Sequence, residues 1–274
     1  MRLVALLLWL LIPAAGQEMI RLPYQCSDED RTASGLHCTE EEPCPVYLEL
    51  AAVEPVGARL FVVGNIHTGS VTLQSVVVAS ADAGKTWSEP FERLRGASLD
   101  RIQFFDYATG WISGQIVQPL PRDPFFLLTT DGGATWRRRP VFSESRTGAV
   151  ERFQFDARTD GTLWIDRSRS GEAGAAYERY ETTSGGESWT LREAMSRPPA
   201  AAPGEKERDT GWRLRPDGAT RSYRLERRSE KQWQMVAAFL IPMGECAPPA
   251  GSLPEPPEPA PPPDEPAAPP RKKR

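Results

Sequence analysis

The chain has 274 residues, a hydrophobic content of 39% and a formal net charge of −4. This length is enough to bury a substantial core, and the mildly acidic balance gives no general reason to expect nucleic-acid binding. Only two histidines and four cysteines are present, which leaves few groups for a metal centre.

Residues 1–16 have the pattern of a secretory signal peptide. Arg2 supplies a basic start, residues 3–12 form an apolar core, and Ala14 and Gly16 are small residues placed for cleavage before Gln17. Ten apolar residues are too few to span a bilayer, which needs about 20, and no later stretch comes close. The sequence therefore predicts an exported chain, periplasmic or extracellular, without a transmembrane helix.

Residues 17–45 form a cysteine-bearing lead-in that holds Cys26, Cys38 and Cys44, and Cys246 follows the last predicted strand. In an oxidising compartment four cysteines predict two disulfides with three possible connectivities. One bridge can lie within the lead-in, and the other would then tie the lead-in to Cys246. The rival hypothesis is a metal site, because His37 adjoins Cys38, but the spacings fit no zinc pattern. We expect no metal and no cofactor.

A short motif occurs three times between residues 46 and 245. It reads hydroxyl, any residue, Asp, any residue, Gly, any residue, hydroxyl and Trp, except that the third copy has Ser in place of Asp. Its tryptophans are 49 and 53 residues apart, and a fixed period of that size is typical of repeat architectures. Each copy lies between two extended runs, so we predict a hairpin turn whose Asp accepts backbone hydrogen bonds, whose Gly has positive φ and whose Trp packs between sheets. The residues given these structural roles are Ser80, Asp82, Gly84, Thr86, Trp87, Thr129, Asp131, Gly133, Thr135, Trp136, Thr182, Ser184, Gly186, Ser188 and Trp189.

The motif resembles the Asp-box, or BNR repeat, of sialidases and of many non-enzymatic β-propellers, where it joins the third and fourth strands of a blade at the outer rim. A second repeat, Phe, a polar turn and then Gly-Trp-Ile, occurs at residues 104–114 and is echoed at 153–165 and 210–214. It resembles the first hairpin of blades in the photosystem II assembly and stability factor family. The resemblance covers about residues 46–240. It implies an all-β fold, a small β-propeller of about four blades built from four-stranded antiparallel sheets.

The predicted blades follow one another in the chain. The first has strands at residues 46–53, 58–66, 71–80 and 86–94, and each of these runs is extended and rich in apolar residues. The second and third blades are predicted at 98–142 and 149–193, and the last at 211–241. That last blade lacks a local first strand, which we expect residues 19–24 of the lead-in to supply in a strand-swapped closure.

Residues 246–274 form a proline-rich tail. We predict that it is disordered, because its composition cannot bury a core. Its basic end can contact an anionic surface weakly. The residues of that end are Arg271, Lys272, Lys273 and Arg274.

We recognise no catalytic constellation in the sequence. Sialidases use six blades, an arginine triad, a tyrosine nucleophile with a glutamate partner and an Arg-Ile-Pro segment, to which residues 101–103 are the nearest approach. We therefore predict a non-enzymatic binding or assembly scaffold with a protein partner, acting through loops on a propeller face. Candidate residues for that face are Asn65, His67 and 115–122. The alternatives are a sialidase-like glycoside hydrolase and a purely structural secreted protein.

Overall fold

The computed structural model describes residues 19–118, 122–171, 174–198 and 209–248. The predicted signal peptide, part of the candidate loop 115–122 and the tail with its basic end from residue 249 onward lie outside the described residues. Within the described ranges, no helix combines the length and apolar character needed to cross a membrane.

In the described part of the chain, one short α-helix, α1 (Asp28–Ser34), precedes fifteen β-strands. The strands are β1 (Cys44–Val56), β2 (Arg59–His67), β3 (Thr72–Ser80), β4 (Ala97–Phe104), β5 (Gly110–Ile116), β6 (Arg122–Thr129), β7 (Arg137–Pro140), β8 (Ala149–Phe155), β9 (Gly161–Asp166), β10 (Tyr177–Thr182), β11 (Thr190–Met195), β12 (Trp212–Asp217), β13 (Ser222–Ser229), β14 (Gln232–Leu240) and β15 (Pro242–Cys246).

These strands form four antiparallel sheets. The first sheet has the order β15-β1-β2-β3, the second β4-β5-β6-β7, the third β11-β10-β9-β8 and the fourth β12-β13-β14. The predicted all-β architecture, a small propeller of about four blades, is confirmed, although the fourth sheet has three strands and not four. Each sheet after the first corresponds to one contiguous segment of the chain.

The strand β2 shows how the sheets pack. Seven consecutive residues of β2 are buried, because both faces of the strand are covered. Leu60, Val62 and Ile66 belong to an apolar cluster shared with the fourth sheet, whereas Phe61 and Val63 belong to one shared with the second sheet. The alternation of side chains along a strand sends these two sets to opposite faces.

Three apolar clusters hold the four sheets in a row. The first joins the fourth and first sheets, the second joins the first and second, and the third joins the second and third. Within the described ranges no apolar cluster joins the third sheet to the fourth. The sheets therefore follow one another as an arc in the order fourth, first, second, third.

One predicted strand of the first blade is wrong. Residues 86–94 were expected to form its fourth strand, but they make a single bridge at Ser88, and a second single bridge follows at Arg95. Pro90 lies between these bridges, and a proline has no amide hydrogen to donate to a continuous ladder.

The strand-swapped closure by residues 19–24 is confirmed only in part, because the lead-in joins the fourth sheet but not as its first strand. Ile20 makes a single parallel bridge to Phe239 of β14, at the edge of the fourth sheet that lies away from β12. The C-terminal strand β15 instead pairs with the start of β1, with Cys246 opposite Cys44. Cys246 therefore ends a strand that the sequence analysis did not predict.

The four cysteines form two disulfides, Cys26–Cys246 and Cys38–Cys44. The first ties the lead-in to the end of β15, and two disulfides indicate an oxidising compartment. Helix α1 adds a polar anchor beside this bridge, because the buried carboxylate of Asp30 accepts hydrogen bonds from Gln74 and Arg95.

Candidate functional site

The first copy of the repeated motif forms a tight turn after β3. One carboxylate oxygen of Asp82 accepts hydrogen bonds from the amides of Lys85 and Thr86 at 3.0 and 2.9 Å, and the other accepts from the Thr86 hydroxyl at 2.7 Å. The amide and then the hydroxyl of Thr86, followed by the hydroxyl of Ser80, hold the pKa of Asp82 at about 2. This carboxylate is therefore an acceptor within the turn.

The other two copies repeat this geometry. Asp131 accepts from the hydroxyl and the amide of Thr135, which hold its pKa at about 2. In the third copy the hydroxyl of Ser184 accepts from the amide of Ser188 at 3.0 Å. We propose a structural role for all three turns.

Each of these turns rests on the sheet that precedes it in the arc. At Gly84, where φ is 93°, a Cβ would come within 2.5 Å of Val236 on the fourth sheet. At Gly133, where φ is 85°, a Cβ would come within 2.5 Å of Phe61 on the first sheet. Glycine satisfies both the positive φ and the close approach. Trp136 then packs edge-on against Phe61, with ring centroids 6.2 Å apart.

Polar side chains on the inner strands also link neighbouring sheets. The side-chain amide of Asn65 bonds both the amide and the carbonyl of Leu99, and that of Gln103 does the same with Phe155. Asn65, a candidate for the binding face, is 4% exposed and holds the first sheet to the second. His67 lies at the end of β2, with Nδ1 2.8 Å from the carbonyl oxygen of Thr68.

The remaining candidate, the loop 115–122, is described only as far as residue 118 and from residue 122. Gln118 donates from its side-chain amide to the carbonyl oxygen of Thr72 at 3.1 Å. Gln115 lines a small cleft with Thr147 and Asp166. The sequence candidates are thus spread over separate parts of the arc, and the described residues do not bring them together.

A further candidate site is a cleft of about 470 Å3 between β1 of the first sheet and β12 of the fourth. Consecutive residues of each strand line it, which means that strand edges face the cleft. Beyond Leu48, whose amide donates to the carbonyl of Ile241, no strand of the described residues pairs with this edge of β1, and β12 is the edge strand of its sheet. The lining residues are Ala51, Ala52, Val53, Glu54, Asp209, Thr210, Trp212, Arg213 and Leu214.

A β-bulge places Ala51 in this cleft. The ladder between β1 and β2 skips Ala51, and the equivalent ladders of the second and third sheets skip Asp100 and Glu151. A bulge leaves its extra residue unpaired and re-aims the side chain.

Burial raises the pKa of Asp100 to about 6, and the charge of Glu49 adds to the rise.

A buried cluster on the third sheet has the residue types of a sialidase site. Tyr180 donates to Glu178 at 2.6 Å, and Glu178 also accepts from Arg146 and Arg167 at 3.2 and 3.0 Å. Tyr180 is 5% exposed and packs against Phe142 in the apolar cluster between the second and third sheets. Burial and then the bond to Glu178 raise the pKa of Tyr180 to about 12.

This cluster has the properties of a structural ion pair. Its glutamate is shared by two arginines, and its tyrosine is enclosed by the core. Sequence reasoning missed it, although Glu178 shares one face of β10 with Tyr180, and a glutamate on the buried face of a strand is a signal for a paired acid.

A scan against models of known protein families found no match, and neither did a search of curated protein sequences. Among solved structures, the chain is similar to YCF48 bound to D1 peptide (17% identity, 70% of this chain, 53% of the other, TM-score 0.37). It is also similar to YCF48 from Cyanidioschyzon merolae (15% identity, 70% of this chain, 57% of the other, TM-score 0.38). A third similar structure is a GH74 xyloglucanase from Xanthomonas campestris (16% identity, 67% of this chain, 28% of the other, TM-score 0.37).

The chain spans little more than half the length of the two YCF48 structures and about a quarter of the xyloglucanase. TM-scores of 0.37 to 0.38 are too low to carry an argument about function. The propeller architecture rests on the four sheets themselves.

Proposed function

We propose that this protein is an exported, non-enzymatic binding scaffold that holds an extended segment of a protein partner in the cleft between β1 and β12. The observation that carries the proposal is the pair of strand edges that line this cleft. An unpaired strand edge offers a row of backbone donors and acceptors, which an extended peptide can join as an added strand.

The side chains of the cleft suggest the chemistry of the partner. Trp212 and Leu214 provide an apolar contact for one side chain of the peptide, and Thr210 provides a hydroxyl beside them. Such a site favours a segment with an aromatic or branched residue flanked by residues of high β-propensity.

The charged groups of the cleft support a binding function over a catalytic one. Glu54 accepts a hydrogen bond from the amide of Phe104, and Arg213 pairs with Glu226 at 2.6 Å. Asp209 pairs with Arg228 at 2.7 Å. Each of these groups already has a structural partner, so none is poised for acid–base work.

Two observations support export. Residues 1–16 have the sequence pattern of a signal peptide, and the two disulfides require oxidation. The protein partner is then also expected outside the cytoplasm.

The test is a selection of peptides from a random library on the wild-type chain, followed by affinity measurement on variants. Ala51→Arg fills the cleft from an exposed bulge residue without removing core packing. We expect the affinity of the selected peptides to fall by at least about tenfold, or ~1.4 kcal/mol.

The matched control is Ala194→Arg, the same change on the exposed strand β11 of the third sheet, which should leave the affinity unchanged. Equal affinity of selected peptides for Ala51→Arg and wild type would refute the proposed cleft. Turnover of a sialoside by the chain, lost in Tyr180→Phe, would favour the glycoside hydrolase instead.

A further inference from the structure

The fourth sheet has one broad face that points away from the first sheet. Side chains alternate along its strands, so Trp212, Leu214, Tyr223 and Leu225 pack towards the first sheet. The residues between them point the other way. We call this surface the Trp–Arg face; it consists of Arg213, Arg215, Arg224, Glu226, Arg228, Trp233 and Met235.

The Trp–Arg face is accessible. Met235 is 37% exposed, and the side chains of Arg213, Arg224 and Arg228 are 39 to 42% exposed. Among the described residues, no apolar cluster covers this face, and none joins the third sheet to the fourth. In a sheet of a fully closed ring this face would be buried against the next sheet.

An aromatic ring and arginines dominate its chemistry. The guanidinium of Arg213 lies 4.1 Å from the centroid of Trp233, and that of Arg228 lies 5.7 Å from it. Residues 209–240 hold seven basic and four acidic residues, in a chain whose formal net charge is −4. The Trp–Arg face itself holds four arginines and one glutamate, and the indole of Trp233 lies near the start of the edge strand β14. Three of these arginines pair with acidic residues of the same segment, Arg213 with Glu226, Arg224 with Asp217 and Arg228 with Asp209, and Arg215 adds a further positive charge.

The segment that follows the last strand has the opposite charge. Residues 249–270 hold four acidic residues, no basic residue and eleven prolines. Proline-rich segments favour the polyproline II helix, which docks on surfaces of aromatic side chains at little cost in entropy. Acidic residues between the prolines can pair with arginines.

The segment also begins beside the fourth sheet. Gly244 and Glu245 of β15 line one cleft together with Arg221, which lies in the turn between β12 and β13. Twenty-two residues at about 3.1 Å each reach roughly 70 Å in the polyproline II form, which is enough to cross any sheet of this protein.

We propose that residues 249–270 dock on the Trp–Arg face of the same chain. The prolines lie on the ring of Trp233 and on Met235, and the carboxylates pair with the arginines around them. The segment thereby covers the sheet face at one end of the arc. The cleft between β1 and β12 lies at the opposite edge of the fourth sheet from Trp233, and the two sites share Arg213, which lines the cleft and also lies over the Trp233 ring.

The test places a spin label on the tail and observes the tryptophan indoles by NMR in the full chain. The four native cysteines are paired, so Leu253→Cys adds a single thiol for the label. Trp233→Phe identifies the indole signal of Trp233. We expect this signal to lose most of its intensity at about 20 mM salt and to recover at about 500 mM, because salt screens the charge attraction.

Two variants examine the chemistry. Neutralising the acids of the labelled tail with Glu255→Gln, Glu258→Gln, Asp264→Asn and Glu265→Gln keeps its length and prolines, and should restore the signal. Arg228→Glu should restore it as well, whereas Arg138→Glu on the exposed strand β7 should not.

Three results would overturn the proposal. One is a Trp233 signal that the label leaves intact at low salt. Another is broadening that the neutralised tail retains, which would show that charge does not guide the contact. The last is broadening seen when labelled chains are mixed with isotope-enriched unlabelled chains, because the contact would then join two copies.

Discussion

The indole nitrogen of Trp111 donates a hydrogen bond to the backbone carbonyl of Gly185 across 2.8 Å. Trp111 is on β5 of the second sheet and 1% exposed, whereas Gly185 lies in the turn between β10 and β11 of the third sheet. The bond therefore fixes a turn of one sheet to the core of its neighbour.

We expect Trp111→Phe to destabilise the fold by about 1–3 kcal/mol, because it leaves a carbonyl at a sheet junction without its donor. Urea unfolding measures the loss. Tyr107→Phe is the matched control, since it removes one polar group from a side chain that is 72% exposed, and it should change little. Equal stability of Trp111→Phe and wild type would contradict the role of this bond.

The turn aspartates predict a loss of stability in acid. Asp82 and Asp131 have folded-state pKa values of about 2, below the ~3.9 of an unfolded chain. The pKa of Asp106 is also about 2, because this residue, in the turn between β4 and β5, accepts hydrogen bonds from the amides of Thr109 and Ala108. Their contribution is fully present above about pH 4 and is lost as the pH falls towards 2, because the unfolded chain binds more protons there. Urea midpoints between these pH values should fall less steeply in Asp131→Asn than in wild type. Parallel curves would show that the turn carboxylates are not linked to folding.

The buried carboxyl of Asp100 should change the stability of the fold with pH in the opposite direction. Its pKa is raised to about 6 by burial, above the ~3.9 of an unfolded chain. The folded protein therefore binds a proton at Asp100 more tightly than the unfolded chain does. The contribution of this carboxyl to the free energy of unfolding is fully present below about pH 4 and is lost as the pH rises through about 6. Asp100→Asn should be more stable than wild type at pH 7.5 and close to it at pH 4. Asp166→Asn, on β9, serves as the comparison.

The two disulfides should contribute unequally to the free energy of unfolding. The bridge Cys26–Cys246 closes a loop of 220 residues and Cys38–Cys44 one of 6, which correspond to about 5 and about 2 kcal/mol in the chain-entropy model. Replacing the first pair by alanine should lower the melting temperature more than replacing the second. The reverse order would mean that the long bridge does not constrain the unfolded chain.

The repeat gave most of the architecture in advance, because its turns are local. A side chain such as Asp82 bonds within four residues of itself, so the spacing of residue types is enough to predict the turn. The sequence also carries a signal for helix α1, because Ser27 and Asp30 have the spacing of a capping box, yet this helix was not predicted.

The order of the sheets and the cleft were not predictable in this way. Both depend on residues that are far apart in the chain and meet in space, such as Val53 and Trp212, which line the same cleft. The short strand β15 has a proline and a glycine and no alternating pattern, so nothing local distinguishes it from a loop. The role of Asn65 was missed for the same reason, because its partner Leu99 is on another sheet.

The pairing of β15 with β1 has a consequence for the order in which the molecule can be built. The second and third sheets each come from one continuous segment and can form as soon as that segment is available. The first sheet waits for residues 242–246, and its long disulfide waits for Cys246. During synthesis, β1 can pair with β2 early, but the edge of β1 that β15 covers stays open until residues 242–246 are available.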